Sequence, residues 1–199
     1  MKKDNALLMK EARETLAGRW GLAVGFCFLY MLVKVVAGAP RKLGGLLGFV
    51  IGGPMVLGLS TFSLAFSRRQ EASVSQLFGG FNEFGRAFVA YFLMVLFIIL
   101  WALLLIIPGI IAALSYSQTF FILAEDKVIS GGDALKKSKA MMMGNKKKLF
   151  YLCWRFFGWF LLSLLTCGIG FLWLVPYMQI TMAKFYDDVS GKTAPSNPV

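Results

Sequence analysis

The chain has 199 residues, 58% hydrophobic and 16% charged, with 21 Lys and Arg against 10 Asp and Glu, a net charge of +11 and no histidine. A soluble domain is about 45–50% apolar and about 25% charged, so a soluble globular enzyme and a disordered tail are both excluded. The missing histidine also removes a His general base, an HExxH zinc site and a Ser-His-Asp triad.

The first predicted element covers residues 6–16. Its apolar residues Leu7, Leu8, Ala12 and Leu16 follow helical spacing, the pattern of an interfacial helix with its apolar face in lipid. Gly18-Arg19-Trp20 leads into a first span, Trp20–Ala39, and Pro40-Arg41-Lys42 joins it to a second, Leu43–Phe66. Ala37-Gly38-Ala39 has the form of a signal-peptide cleavage site, but 19 polar-rich residues precede the apolar run and Pro40 follows it, so no cleavage is expected. Gly21 and Gly25, and then Gly44, Gly48 and Gly52, recur every four residues. Small residues at this spacing let helices approach closely, within one chain or across a homodimer.

A second polar-apolar segment, Val74 to Phe84, meets Gly85-Arg86 and then the uncharged run Phe88–Ala124, 37 residues long. As a single helix that run would measure about 55 Å, against a hydrocarbon core of about 30 Å. Pro108-Gly109 breaks it, which predicts Phe88–Ile107 out and Gly109–Ala124 back. The short return places the turn below the membrane surface.

The third segment, Ala134 to Met143, starts at Asp133 after Gly131-Gly132 and leads through Gly144 and Lys146–Lys148 to Leu149–Tyr186. Only Arg155 and Lys184 interrupt that run, and Thr166-Cys167-Gly168-Ile169-Gly170 is its turn. Inside it, Gly170, Tyr177, Gln179 and Asp187 repeat Gly109, Tyr116, Gln118 and Asp126 at an offset of 61.

Charge sets the orientation. Sixteen Lys and Arg fall in segments 1–19, 67–87, 125–148 and 187–199, while the opposite loops carry only Arg41 and Lys42. By the positive-inside rule both termini are cytoplasmic. The expected fold is therefore all-α: a single polytopic membrane domain, 1–199, with six transmembrane helices as three hairpins, each preceded by a cytoplasmic amphipathic helix. The units run 5–67, 74–126 and 133–188, and 189–199 forms a flexible tail. The location is the cell membrane, and neither end shows a lipidation motif.

Four groups of side chains carry possible chemistry. Lys136, Lys137, Lys139, Lys146, Lys147 and Lys148, with Arg155, form a candidate site for anionic lipid, where each basic residue adds about 1 kcal/mol. Arg155 either snorkels to the surface or binds a lipid phosphate. Ser115, Tyr116, Gln118, Tyr177, Gln179 and Thr181 line a candidate polar cavity, or else bond one another between helices. The acids Glu125-Asp126 and Asp187-Asp188 are expected as solvated helix ends paired with lysines. Cys27, Cys153 and Cys167 are expected as small apolar residues. No catalytic, cofactor or metal residue is assigned, and nucleic acid is set aside because topology already explains the charge.

Leu100-Trp101, Pro108-Gly109, Ser115-Tyr116-Ser117, Ala134 to Lys139, Phe157-Gly158-Trp159, Leu172-Trp173-Leu174, Pro176-Tyr177 and Phe185-Tyr186 carry a resemblance. In them the chain resembles the bacterial membrane-protein family catalogued as domain of unknown function 975. That family is distantly similar to the membrane domain of some glycerophosphodiester phosphodiesterases. The resemblance implies a multi-span bacterial inner-membrane protein and supplies no activity. The functional expectation is a non-enzymatic membrane component binding anionic lipid or a protein partner at its basic cytoplasmic face, with a homo-oligomer as a further possible assembly. The alternative is a small transporter or lipid-handling protein using the polar second helices.

Overall fold

The computed structural model describes residues 3–38, 44–166 and 168–192, and all regular elements among them are helical. In chain order they are α1 (Asn5–Leu16), α2 (Trp20–Gly38), α3 (Gly44–Ser67), α4 (Gln76–Gly79) running into a 3-10 turn (Gly80–Glu83), α5 (Phe84–Leu104), α6 (Ile106–Tyr116), α7 (Thr119–Glu125), α8 (Gly131–Met141), α9 (Lys146–Leu165) and α10 (Phe171–Ser190). A short helix, a long helix and a further helical stretch thus follow one another three times along the chain. The Pro40-Arg41-Lys42 connection, Cys167 and the tail beyond Lys192 lie outside the described residues.

Five helical stretches are long and apolar enough to cross a membrane: Trp20–Ala37, Gly44–Ser67, Gln76–Leu104, Ile106–Glu125 and Lys146–Leu165. α10 has the length, but Lys184, Asp187 and Asp188 occupy its last two turns, and it does not meet the same measure.

Three boundaries differ from the sequence reading. The break after α5 falls at Leu105, whose extended backbone (φ −161°, ψ 145°) separates α5 from α6. Pro108 sits in the first turn of α6, where its missing N–H costs nothing, so it begins a helix rather than ending one. Gly109 serves packing instead: a Cβ there would lie 2.8 Å from Ala102 Cα. Gly170, 61 residues later, approaches Ser163 Cα in the same way, also at 2.8 Å. The return helix itself breaks at Ser117-Gln118, between α6 and α7. Finally, α8 begins at Ser130, not Asp133. The Ser130 hydroxyl accepts the Asp133 N–H at 3.2 Å and donates to the Asp133 carboxylate at 2.8 Å, a reciprocal N-cap.

Helices α7 and α10 both pack on α3 and meet each other at the Phe121–Tyr186 ring contact, while α2, α5 and α9 are less buried. The α3 window is 72% buried and Ile106–Glu125 is 56% buried, against 17%, 11% and 22% for the windows on α2, α5 and α9. The short helices pack on these elements: α4 lies against α3, α8 against α5 and α7, and α1 against α10. The apolar face of α1 (Leu8, Ala12, Leu16) is fully buried against protein, where the sequence reading expected lipid.

Packing is dense at one end only. The C-terminal parts of α3, α7 and α10 are nearly continuously buried, and Phe26 stacks on Phe62 and Phe121 on Tyr186 there. The opposite tips are apolar and open, with Leu103 84% and Ile106 76% exposed at the α5–α6 turn. A soluble protein does not leave contiguous apolar surface of this kind uncovered.

Candidate functional site

The chain ends of the three inner helices meet in an ion network. Arg68, just past α3, donates to Glu125 at 2.6 Å and to Asp187 at 2.7 Å. Tyr186 donates to Glu125 at 2.8 Å, and Lys192 pairs with it at 2.9 Å. Burial opposes the Arg68 charge, but the hydrogen bonds to Asp187 and Glu125 outweigh it and raise its pKa, so Arg68 stays protonated. Lys184 donates to the Ser67 carbonyl at 2.7 Å, a cation placed at the negative end of α3. Asp187 and Asp188 are therefore not solvated, with side chains 4% and 3% exposed, while Asp126 is half-buried; the expected lysine pairing is seen for Asp188 with Lys148 and for Glu125 with Lys192. Apart from one Asp187 carboxylate oxygen, which has no partner, these groups pair with one another, which gives the cluster a structural role.

Lys148 belongs to that architecture as well. It pairs with Asp188 at 2.5 Å, and its carbonyl accepts from Asn5 at 2.9 Å. Lys136 pairs with Asp133 at 3.2 Å on the surface. Lys137, Lys139 and Lys147 are exposed and Lys146 is half-buried. None of these four has a carboxylate partner among the described residues.

The predicted polar-cavity residues are not gathered into one space. Ser115 and Tyr116 line a 160 Å³ cavity beside Lys139 and Lys146. Ser115 and Thr181 turn their hydroxyls back onto the carbonyls of Ile111 and Tyr177, the usual way a helix satisfies such groups. Gln118 is fully buried and bonds Ser117 at 3.1 Å, with its amide oxygen left unpartnered. Gln179 is half-buried. Of the glycines singled out, Gly44 is buried and Gly52 abuts the Tyr91 ring, whereas a Cβ at Gly21, Gly25 or Gly48 would meet nothing within 4 Å. Cys27 is buried and Cys153 is exposed among apolar neighbours.

A groove that the sequence did not reveal runs between α1 and α9, with α10 as its floor. Its α9 wall is the stripe Lys148, Tyr151, Arg155, Trp159, Leu162 and Thr166, one helical face about 27 Å long. Three recesses follow one another along it. The first, 700 Å³, lies between the start of α1 and Lys148, Tyr151 and Arg155. The second, 430 Å³, is lined by Met9, Lys10, Arg13, Arg155, Trp159 and Tyr177. The third, 270 Å³, is an apolar slot between Trp20, Trp159, Leu162, Trp173 and Leu174, with Arg13 at its mouth.

Tyr177, predicted for the polar cavity, instead donates to the Met9 carbonyl at 3.2 Å and ties α10 to α1. It lines the same recess as Arg13 and Arg155. Neither arginine has a carboxylate partner among the described residues. Lys10 is 3.9 Å from Glu14 in an exposed pair. Arg155 was legible as a cation inside an apolar run. Arg13 was not, because nothing in the sequence says that α1 lies along α9.

No curated protein and no solved structure matches the chain. The model of the family described as "Protein of unknown function (DUF975)" matches residues 1–111 and 103–193, and the chain belongs to that family.

Proposed function

We propose that the chain is a six-span, non-catalytic component of a bacterial plasma membrane, built as three hairpins with both termini cytoplasmic, whose basic face engages anionic lipid. The observation that carries this reading is the group Lys137, Lys139, Lys146 and Lys147, left without acid partners among the described residues while other cations at the same end are neutralised by Glu125, Asp187 and Asp188. The dense, charged end suits the cytoplasmic boundary. The open apolar tips suit the bilayer, where lipid covers them at no cost.

The test is lipid selectivity in nanodiscs of mixed phosphatidylglycerol and phosphatidylcholine, read with spin-labelled lipids. The wild type enriches the anionic lipid around itself, and added salt weakens the enrichment. Changing Lys136, Lys137, Lys139, Lys146 and Lys147 to Gln brings the ratio to that of the bulk. Lys148 is left intact because Asp188 needs it. Unchanged enrichment in the variant removes the reading.

The α5–α6 hairpin carries a second expectation. The return through α6 and α7, Ile106–Glu125, has 20 residues, about 30 Å, no more than the hydrocarbon core, and the turn at Leu105 is wholly apolar. In a background free of native cysteines, a cysteine at position 105 should resist a membrane-impermeant maleimide from either side, while one at position 137 reacts from the cytoplasmic side alone. Labelling of position 105 from outside would place the turn beyond the membrane.

A further inference from the structure

We infer that the α1–α9–α10 groove binds one anionic phospholipid molecule, with its phosphate between Arg13 and Arg155 and one acyl chain in the slot between Trp20, Trp159 and Trp173. This rests on the reading that the basic end meets an anionic leaflet, but it concerns a different surface from the lysine segment. Arginine is well matched to a phosphate, because its planar guanidinium offers paired donors to the phosphate oxygens. Two such groups sharing one recess without a counter-charge are stabilised by an anion. Free phosphate would satisfy them equally, but the adjoining 270 Å³ slot argues for a ligand with an apolar part continuous with its charged part. Its walls are mainly tryptophan and leucine, with Ser163 and Thr166 among them, and tryptophan is the side chain that favours the boundary between headgroup and chain.

The polarity of the groove also runs in the order that a lipid requires. The basic recesses lie along the first half of α9 and the apolar slot lies along the second. Arg155 stands nine residues past Lys146, about 14 Å along the helix. α1 brings Lys10 and Arg13 to the same recess, so on this side the polar boundary extends that far along α9. A lipid seated here sits deeper than those around the rest of the molecule. Carboxylates stand near the groove: Asp4 lines the first recess, Glu11 and Asp188 pair with its Lys3 and Lys148, and Glu14 is held by Lys10. None of them lines the recess shared by Arg13 and Arg155. By contrast, Lys137 and Lys147 line none of these recesses, so they attract lipid without holding a particular molecule.

The experiment is native mass spectrometry of the delipidated protein in detergent, titrated with phosphatidylglycerol or phosphatidylcholine. The wild type should retain a single phosphatidylglycerol with on the order of tenfold preference. The R13Q/R155Q variant should lose that preference, and R13K/R155K should keep part of it. Leu162→Trp, which fills the slot and leaves both arginines in place, should also release the lipid. Both arginines and Leu162 are exposed, and a thermal melt confirms that each variant is folded. Retention by R13Q/R155Q at wild-type strength, or indifference to Leu162→Trp, overturns the inference and leaves the proposed function standing. Loss of the bound lipid only in the five-lysine variant moves it to the lysine face and likewise overturns the inference. Loss of bulk enrichment with retention of the single lipid overturns the lysine-face reading alone.

Discussion

Gly58→Val should prevent the protein from accumulating in folded form, and Gly80→Val should do the same. Both glycines lie where α3 and the α4 segment touch backbone to backbone. A Cβ on Gly58 would fall 2.2 Å from the Leu77 carbonyl oxygen and 2.8 Å from that of Gln76, and one on Gly80 would fall 2.1 Å from the Pro54 carbonyl oxygen. These neighbours are main chain, so no rotamer change relieves the clash. The α4 segment would have to lift, taking the fully buried Leu77 out of its cluster with Met55, Phe62 and Phe66. Overpacking of this kind costs about 1–3 kcal/mol or more, and the loss of Leu77 contacts adds to it. Gly48→Val is the control, since nothing lies within 4 Å of its Cβ direction. Size-exclusion profiles and tryptophan-fluorescence melts in detergent separate the two. A Gly58→Val protein that melts with the wild type would show that the contact is not close.

The glycines that matter here are not those a spacing rule selects. Gly21 and Gly25, and Gly44, Gly48 and Gly52, stand four apart, yet the tightest approaches are at Gly58 and Gly53, which meet the Leu77 and Ala87 backbone, and at Gly80, which meets the Pro54 backbone. Periodicity identifies a face that permits approach and says nothing of which segment arrives there. The same holds for α1: its spacing gave a helix with one apolar face, but the cover over Leu8, Ala12 and Leu16 comes from helices that are distant in sequence. Boundaries set by a simple change between charged and apolar residues were legible to within a residue or so, as at the start of α2 and the end of α3. The α5–α6 turn was not, because Leu103 to Ile107 carry no polar or glycine signal and Pro108 is compatible with the start of a helix as well as with a break. The acids misled for a related reason. Glu125 and Asp187 look like solvated helix ends until Arg68, 57 and 119 residues away, is placed between them. Lipid affinity at the lysine segment could be reasoned from charge alone, whereas the groove exists only once α1 is laid along α9 and α10.

Removing Arg68 should be the most damaging change at the charged end. In Arg68→Ala, Glu125 and Asp187 keep their positions and lose the cation between them. Asp187 is 4% exposed, and its second carboxylate oxygen has no partner even with Arg68 present. Taking one partner from a buried ion pair costs about 3–5 kcal/mol, and the 24% exposure of Arg68 places this case at the lower end. Most of that cost is the stranded acid, not a lost attraction. Arg68→Ala combined with Asp187→Asn should therefore melt above Arg68→Ala alone and below the wild type. Arg68→Lys retains a charge but cannot reach both acids with a planar fork, and should fall between the wild type and Arg68→Ala. The pH dependence has a definite sign. A carboxyl buried without a counter-charge has its folded-state pKa raised above the unfolded value, so the penalty is present at high pH and is relieved as protons bind. Melting curves for Arg68→Ala should approach those of the double variant between about pH 8 and pH 5. If the single variant instead falls further below the double variant as the pH is lowered, the stranded acid is not the cause, and the network contributes through packing of the arginine stem against its neighbours.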